Sequence, residues 1–398
     1  MINAQKLWTK DFILSSFAGF FSAMVLYITT TTFALYAAKT FQVNAGMAGL
    51  TASVFVIGSV LGRIFGGRYI ELIGRRKLVL MGGVVFFLVS FLYLIPLNIG
   101  LLLLVRFVHG TAFGIVHNSL ATIVISFIPP HRRGEGIGYF SLNFVFATAL
   151  GPLTGLFLIQ QFGYTALFLA CILCALLSLV LACLIHIENP ALSEAQRGQL
   201  KQRISLHDVF EKEVLPIAVI IIIMSMCYTS VTTFIASYTA ELQLSNVAQL
   251  FFVIYAAVIL IVRPLAGRLL DKKGDNIVMI PTIAFFALSL LLLGFAHHAY
   301  LFVLAAVFMA FGYGNILNVG QAIAVKMVAQ QPHKIGIATS TYFVFSDAGM
   351  GLGPLVMGWL AARQGFAAMF MVDGVVVAAA ILLYYGLHGR KVRARARL

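Results

Sequence analysis

The chain has 398 residues, of which 61% are hydrophobic and only 10% are charged. A soluble protein of this size would have no interior large enough for so many apolar side chains, so the composition excludes that class and indicates a membrane protein. The net charge of +14 would suggest nucleic-acid binding in a soluble protein. Here the basic residues lie mostly in short segments between apolar runs, so we expect a lipid bilayer as partner and no nucleic acid.

Apolar segments of about 20 residues or more, the length that crosses a bilayer as a helix, recur along the whole chain. Cut at charged residues and at glycine, proline or asparagine, they are 12–38, 46–70, 77–96, 99–127, 136–160, 164–186, 214–239, 248–269, 278–296, 300–328, 335–361 and 366–387. The first is too long for the apolar core of a signal peptide. The sequence predicts an all-α membrane protein with twelve transmembrane helices.

The least apolar stretch, 187–213, is rich in charged residues and divides the chain. We predict an N-terminal six-helix half over 1–186, a linker over 187–213, and a C-terminal six-helix half over 214–398 that ends in a basic tail. Lysine and arginine cluster in the linker, the tail and alternate loops, and such residues mark the cytoplasmic side. The linker and both termini are therefore predicted to be cytoplasmic, in a multi-pass protein of the cell (inner) membrane.

The two halves resemble each other when the chain is shifted by about 200 residues. The matched pairs include Tyr27 with Tyr228, Arg63 with Arg263, Gly67 with Gly267, Gly114 with Gly314, Asn118 with Asn318, and Gly151 with Gly353. Halves of equal orientation are related by a pseudo-two-fold axis along the membrane normal. This arrangement predicts a substrate site near mid-membrane, where the halves meet.

A loop motif follows the second predicted helix, GRYIELIGRRK at 67–77, and a related one follows the eighth, GRLLDKKG at 267–274. Glycines allow close helix approach and tight turns, while an acid between basic residues can hold one conformation through ion pairs. The residues predicted to gate the protein in this way are Gly67, Glu71, Gly74, Arg75, Arg76, Gly267, Asp271 and Gly274.

This motif resembles the loop signature of the major facilitator superfamily, G-x-x-x-D-x-x-G-R-[RK], with Glu71 at the acidic position. The resemblance covers essentially the whole chain and implies that superfamily's fold of two parallel six-helix halves.

Two further motifs resemble those of proton-coupled members. Arg106-Phe-Val-His109-Gly110 in the fourth helix resembles their helix 4 arginine signature and implies that Arg106 supports proton transfer. The alternative is that Arg106 lies near the outer interface and extends its side chain so that the charged end reaches water. In the fifth helix, Gly151-Pro152-x-x-Gly155 resembles the antiporter motif of drug and metabolite exporters, where proline kinks the helix and glycines admit a neighbour. Together the motifs favour export.

Ionisable side chains inside apolar helices are costly and usually functional. Asp347, well inside the eleventh helix, is the first candidate to bind and release a coupling proton, and it resembles an acid found in one group of efflux permeases. The alternatives are a static pair with Lys326 or Arg263, or a position at a helix end. Asp373 in the twelfth helix is a second candidate, and the two histidines of the fourth helix, His109 and His117, could share the coupling.

Polar residues at related places in the two halves are predicted to line the substrate cavity. They are Tyr27, Thr31, Asn118, Tyr228, Thr232, Asn315, Asn318 and Gln321. The threonines could instead bond to the backbone of their own helix.

We therefore predict a monomeric, proton-coupled secondary transporter, most like the drug and metabolite antiporters, that exports a small organic solute by alternating access. The sequence has no phosphate-binding loop, metal-ligand cluster or paired nucleophile and base, so neither an enzyme nor a cofactor is predicted. The alternatives are a proton symporter that imports a sugar or organic acid, and a non-transporting membrane receptor.

Overall fold

The structure is a computed structural model that describes residues 6–43, 45–95, 98–187, 189, 194 and 210–395. Most of the predicted linker, 187–213, lies outside these residues. So do the side chains of 31, 34, 45, 46, 48, 49, 149, 245, 246 and 393–395.

The described residues form helices joined by short turns. In chain order the α-helices are α1 (Lys10–Phe41), α2 (Ala45–Ile73), α3 (Arg75–Phe91), α4 (Ile99–Phe127), α5 (Arg133–Leu184), α6 (Leu215–Glu241), α7 (Ser245–Lys273), α8 (Asp275–Gly294), α9 (Ala299–Phe311), α10 (Tyr313–Met327), α11 (Ile335–Tyr384) and α12 (Arg390–Arg395). A π-helical turn, Tyr385–Gly389, joins the last two. Side-chain caps begin two of the helices, because Thr9 accepts from Phe12 N and Asn98 from Leu101 N.

Two of these helices are long enough to cross a bilayer twice, and each is broken by a glycine. The described residues contain ten helical stretches apolar enough to span a membrane, of which 130–184 and 332–392 have 55 and 61 residues. Gly163 (φ 79°, ψ −176°) interrupts α5, and Gly365 (φ 84°, ψ 166°) interrupts α11. Only glycine adopts such angles readily, so each break separates two crossings. The predicted all-α fold with twelve membrane helices is confirmed.

One predicted crossing, 300–328, differs in detail. It consists of α9 and α10, separated at Gly312, whose ψ of −108° leaves the helical region. An added Cβ on Gly312 would lie 2.5 Å from Phe286 N, so glycine allows close contact with α8 here. The basic tail also begins as helix, through α12.

The chain divides into two compact units. Unit 1 comprises Met1–Pro129, Phe140–Glu211 and Val328–Thr341, and unit 2 comprises Pro130–Tyr139, Lys212–Met327 and Tyr342–Leu398. Each unit therefore includes one short segment from the other half of the sequence. Large apolar side chains remain exposed, for example Leu355 (72%) and Leu382 (78%), as expected for surfaces in contact with lipid.

Candidate functional site

In unit 1, the loop-motif glycine of α2 packs against the start of α11. A Cβ added to Gly67 would overlap the side chain of Ser340 and lie 3.1 Å from Gly336 O. Ser340 Oγ also donates a 2.7 Å hydrogen bond to Arg63 O. Glycine at position 67 is thus required for this helix contact.

The acid of the first motif pairs within its own loop. Arg75 Nη2 and Nε lie 2.6 and 2.9 Å from Glu71 Oε1, and both side chains are buried. Arg75 Nη1 donates to Ser126 Oγ at 2.6 Å, which ties the loop to the end of α4. Gly74 has a φ of 99° and makes the turn between α2 and α3. The guanidinium of Arg76 lies 3.3 Å from Cys183 O and so caps the C-terminal end of α5.

In unit 2, the equivalent acid binds backbone amides. Asp271 accepts hydrogen bonds from Gly134 N at 2.8 Å and Glu135 N at 2.9 Å, the first turn of α5. Unpaired amides and the helix dipole make such an end a favourable place for a carboxylate. A Cβ on Gly267 would overlap Gly134 O, so these backbones also touch. Gly274 (φ 87°) makes the turn that Gly74 makes in unit 1.

Sequence reasoning missed Glu135, which joins this contact through two arginines. Its carboxylate is 2.7 Å from Arg132 Nε and 2.7 Å from Arg268 Nε. The spacing of Arg132 and Glu135, three residues apart at a helix start, could have indicated the first pair. The second joins residues 133 positions apart, which no local pattern records.

Arg106 lies in a fully buried aromatic pocket of unit 1. Its Nε donates to Thr51 O at 2.9 Å, and its guanidinium carbon lies 4.6 and 4.4 Å from the ring centroids of Phe33 and Phe55. The two terminal nitrogens have no hydrogen-bond acceptor among the described residues. Because Arg106 has no exposed surface, it does not reach water along its stem.

Both ring nitrogens of His109 are hydrogen-bonded nearby. Nδ1 lies 2.8 Å from Tyr93 Oη and Nε2 lies 3.1 Å from Ser90 Oγ, while the ring stacks on Phe86 at 4.5 Å between centroids. His109 therefore packs α4 against α3 in the core, where both of its ring nitrogens have hydrogen-bond partners.

His117, two turns further along α4, contacts the repeated arginine of α2. Arg63 Nη1 lies 3.1 Å from His117 Nδ1, and both residues are buried. An arginine can only donate, so this bond uses the lone pair of a neutral imidazole. The ring packs on Phe113 and Phe144. Tyr27 packs on Phe144 from α1, at 6.1 Å between centroids.

Several predicted cavity residues are buried amides whose polar atoms lack partners in the described part of the chain. Both side-chain polar atoms of Asn118 and Asn318 are in this state, as are Asn315 Oδ1 and Gln321 Nε2. Asn315 Nδ2, by contrast, donates to Ala310 O at 3.0 Å. Buried amides without protein partners usually bind water or a ligand.

In unit 2, a tyrosine pair accompanies a cluster of hydroxyls. Tyr228 and Tyr313 stack at 3.8 Å between centroids with 11° between planes. Ser225 Oγ lies 3.2 Å from Tyr313 Oη and 3.1 Å from Ser346 Oγ. Thr232 Oγ1 is 3.4 Å from Thr229 O on its own helix, the backbone contact considered above. The side chain of Thr31 lies outside the described residues.

The two candidate carboxylates of unit 2 differ in burial. Asp347 follows Ser346 on α11 and is half-buried, whereas Asp373 is fully buried. Neither oxygen of Asp373 has a hydrogen bond within the described residues, although Cys227 and Ser230 of α6 lie beside it. Lys326, considered above as a partner for Asp347, instead lies 2.7 Å from Asp275.

The predicted antiporter motif packs α5 against α1. A Cβ on Gly151 would lie 2.6 Å from Tyr27 Cβ, and one on Gly155 would lie 2.9 Å from Thr32 Cγ2. Pro152 lies inside α5, between these two contacts. The glycines thus admit the neighbouring helix, as the motif predicts.

Comparisons with known proteins agree on the family. The model of the Major Facilitator Superfamily matches residues 15–276 and 245–397. The multidrug resistance protein MdtG of Enterobacter lignolyticus is 26% identical over 83% of this chain and 79% of its own length. That of Dickeya zeae is 24% identical over 93% and 92%.

Solved structures are similar over nearly the whole chain. The human organic anion transporter MFSD10 has a TM-score of 0.76 at 14% identity, covering 94% of this chain and 99% of that one. The proton:xylose symporter XylE has a TM-score of 0.73 at 15% identity, covering 96% of each. These likenesses show the fold. The family match and the curated relatives show that the protein is a membrane transporter and not an enzyme. The chain belongs to the Major Facilitator Superfamily.

Proposed function

We propose that this protein is a proton-coupled exporter of small organic solutes or drugs, which it exchanges for protons entering the cell. The similarity to multidrug resistance proteins over 83–93% of the chain supports the cargo and the direction. In this proposal the protein is a monomer of the inner membrane with both termini in the cytoplasm, as the distribution of lysine and arginine predicts.

Asp373 is the observation that supports proton coupling most directly. It has no exposed surface, and no hydrogen bond to its oxygens exists within the described residues. An ionised carboxylate in such surroundings is costly, so the acid is favoured in its protonated form until water or a partner reaches it. A group of this kind can bind a proton in one conformation and release it in another.

Asp347 is the second carboxylate in this proposal. It is half-buried on α11 and follows Ser346, whose hydroxyl lies 3.1 Å from that of Ser225. We assign the exchange of protons with water to Asp347 and their storage to Asp373. Arg106 and the Arg63–His117 pair supply fixed positive charge in unit 1, whereas His109 is assigned a structural role because both its nitrogens are bonded.

Gating is assigned to the loop contacts. Opening on their side requires separation of Gly67 from Ser340 in unit 1 and of Asp271 from the first turn of α5 in unit 2. Protonation inside the membrane would bias the equilibrium between the state that keeps these contacts and the state that lacks them.

The test uses purified protein in liposomes loaded with a pH-sensitive dye and a panel of lipophilic drugs. Wild type should accumulate a drug when a pH gradient is imposed and should move protons when drug is added. Asp373→Asn, a permanently neutral side chain, should abolish gradient-driven accumulation but retain drug-for-drug exchange. Glu241→Gln, at the exposed end of α6, is the matched control and should behave as wild type. If Asp373→Asn and Asp347→Asn both leave proton movement unchanged, the coupling proposal is wrong.

A further inference from the structure

A cavity of about 390 Å³ lies in unit 2, where three helix ends meet. These are the start of α6, the end of α10 and the turn that follows α11. Its lining includes Lys212, Glu213, Met327, Leu387, His388 and Lys391. The apolar spans Leu215–Glu241 and Ala299–Met327 begin and end at this point, so the cavity lies at a boundary of the membrane-spanning region.

One wall of the cavity is held in place by hydrogen bonds, and the exposed ammonium groups of Lys212 and Lys391 also line the cavity. His388 Nε2 lies 3.0 Å from Asp275 Oδ2, and Asp275 Oδ1 accepts from Lys326 Nζ at 2.7 Å, which holds the wall in place. Asn276 Nδ2 also donates to Gly389 O at 2.9 Å. Lys212 and Lys391 are exposed and make no ion pair within the described residues. Glu213 contributes one opposing charge at the rim.

Unit 1 has a cavity at the repeat-related position, with the opposite charge. It measures about 270 Å³ and is lined by Asp11, Phe127 and His186 among others. With the shift of 200 to 202 residues that aligns the halves, these three positions correspond to Lys212, Met327 and His388. Asp11 is already engaged, since its Oδ1 accepts from His186 N at 2.9 Å. Among the described residues that line the two cavities, lysines occur in unit 2 and not in unit 1.

We propose that the unit 2 cavity binds the phosphate headgroup of an anionic phospholipid. Lys212 and Lys391 would contact the phosphate, while Met327 and Leu387 would contact the first part of an acyl chain. The sequence beyond continues with Arg393, Arg395 and Arg397 alternating with apolar residues, as in segments that lie on anionic membranes. The site would stabilise the protein in membranes rich in such lipids, whatever solute is carried.

The experiment measures lipid binding by the full-length protein purified in a neutral detergent. Native mass spectrometry titrates phosphatidylglycerol and, separately, phosphatidylcholine of the same acyl chains. Wild type should retain one phosphatidylglycerol far more strongly than phosphatidylcholine. Each lysine replaced by glutamine should raise the dissociation constant roughly fivefold, so Lys212→Gln with Lys391→Gln should raise it about 25-fold. Lys212→Asp, which copies the charge of the unit 1 cavity, should abolish selective retention.

The control is the pair Lys272→Gln and Lys273→Gln, exposed at the end of α7, which should leave binding unchanged. Equal loss in this control would overturn the proposal, because it would indicate diffuse attraction to total charge. Equal retention of both lipids would overturn it as well. Displacement of phosphatidylglycerol by millimolar inorganic phosphate would indicate a site for free anions instead. None of these readouts depends on transport.

Discussion

Gly67→Ala should weaken the contact between α2 and the start of α11. The added methyl would overlap the side chain of Ser340 and lie 3.1 Å from Gly336 O. Gly66→Ala, one residue earlier on the same helix, is the matched control, because a Cβ there would find only ordinary contacts at 3.6 Å and beyond. The two variants have the same change in helix propensity and differ in packing.

The size of the effect follows from the overlap. Forcing one extra methyl into a close-packed contact costs typically 1–3 kcal/mol. A value of about 2 kcal/mol changes the equilibrium between the closed and separated contact roughly 30-fold. Gly66→Ala should change it less than about twofold.

A buried thiol at this contact reports the separation. Ile70 has no exposed surface, and its Cγ2 faces Gly336. In a background without the four native cysteines, Ile70→Cys should react with a maleimide only when the helices part. Adding Gly67→Ala should raise the labelling rate roughly 30-fold, up to the rate of an open site.

A compensating variant makes the test sharper. Ser340→Gly removes the side chain that the new methyl would overlap, so Gly67→Ala with Ser340→Gly should label more slowly than Gly67→Ala alone. Equal labelling of Gly66→Ala and Gly67→Ala, or the absence of any compensation, would refute the argument from steric overlap.

Three further outcomes are expected. Asp271→Asn keeps one acceptor but loses the charge, so the contact with α5 should weaken by about 1 kcal/mol. Hydrogen exchange of the amides at 134–135 should then accelerate about fivefold, whereas the control Lys272→Gln should leave the exchange rate unchanged. His109→Leu removes the imidazole partner of the buried Tyr93 hydroxyl, whereas Ser90 Oγ keeps its hydrogen bond to Phe86 O. The variant should lower the free energy of unfolding by about 1–3 kcal/mol, and an unchanged melting temperature would contradict this. Gly365→Ala should cost about 1–3 kcal/mol in the same measurement because of its positive φ, whereas Gly351→Ala, helical with open space around it, should not destabilise.

Hydropathy, together with the charged, glycine, proline and asparagine residues that separate the apolar runs, predicted the helices well. The reason is that each crossing needs a fixed length of apolar chain. The boundaries proposed at 160–164 and 361–366 contain the breaks at Gly163 and Gly365. The break at Gly312 escaped prediction, since the glycine stands inside a continuous apolar run and its geometry depends on contact with α8.

Side-chain partners were far less predictable. The two loop motifs are alike in sequence, yet Glu71 binds Arg75 four residues away whereas Asp271 binds amides of α5. Such differences depend on residues distant in sequence, which no periodicity encodes. Burial likewise separates Asp373 from Asp347, although both stand in apolar helices. The assignment of site roles among these residues stays a prediction.

Each unit includes a short segment from the other half of the sequence, and this has a consequence for biosynthesis. Unit 1 includes Val328–Thr341, so its contacts at Ser340 cannot form until most of the chain has left the ribosome. A nascent chain that contains only the six N-terminal helices would leave the surface of α2 around Gly67 without the start of α11 packed against it. Completion of that surface is thus postponed to a late stage of synthesis, and a truncated product that ends in the linker would expose it to other helices of the membrane.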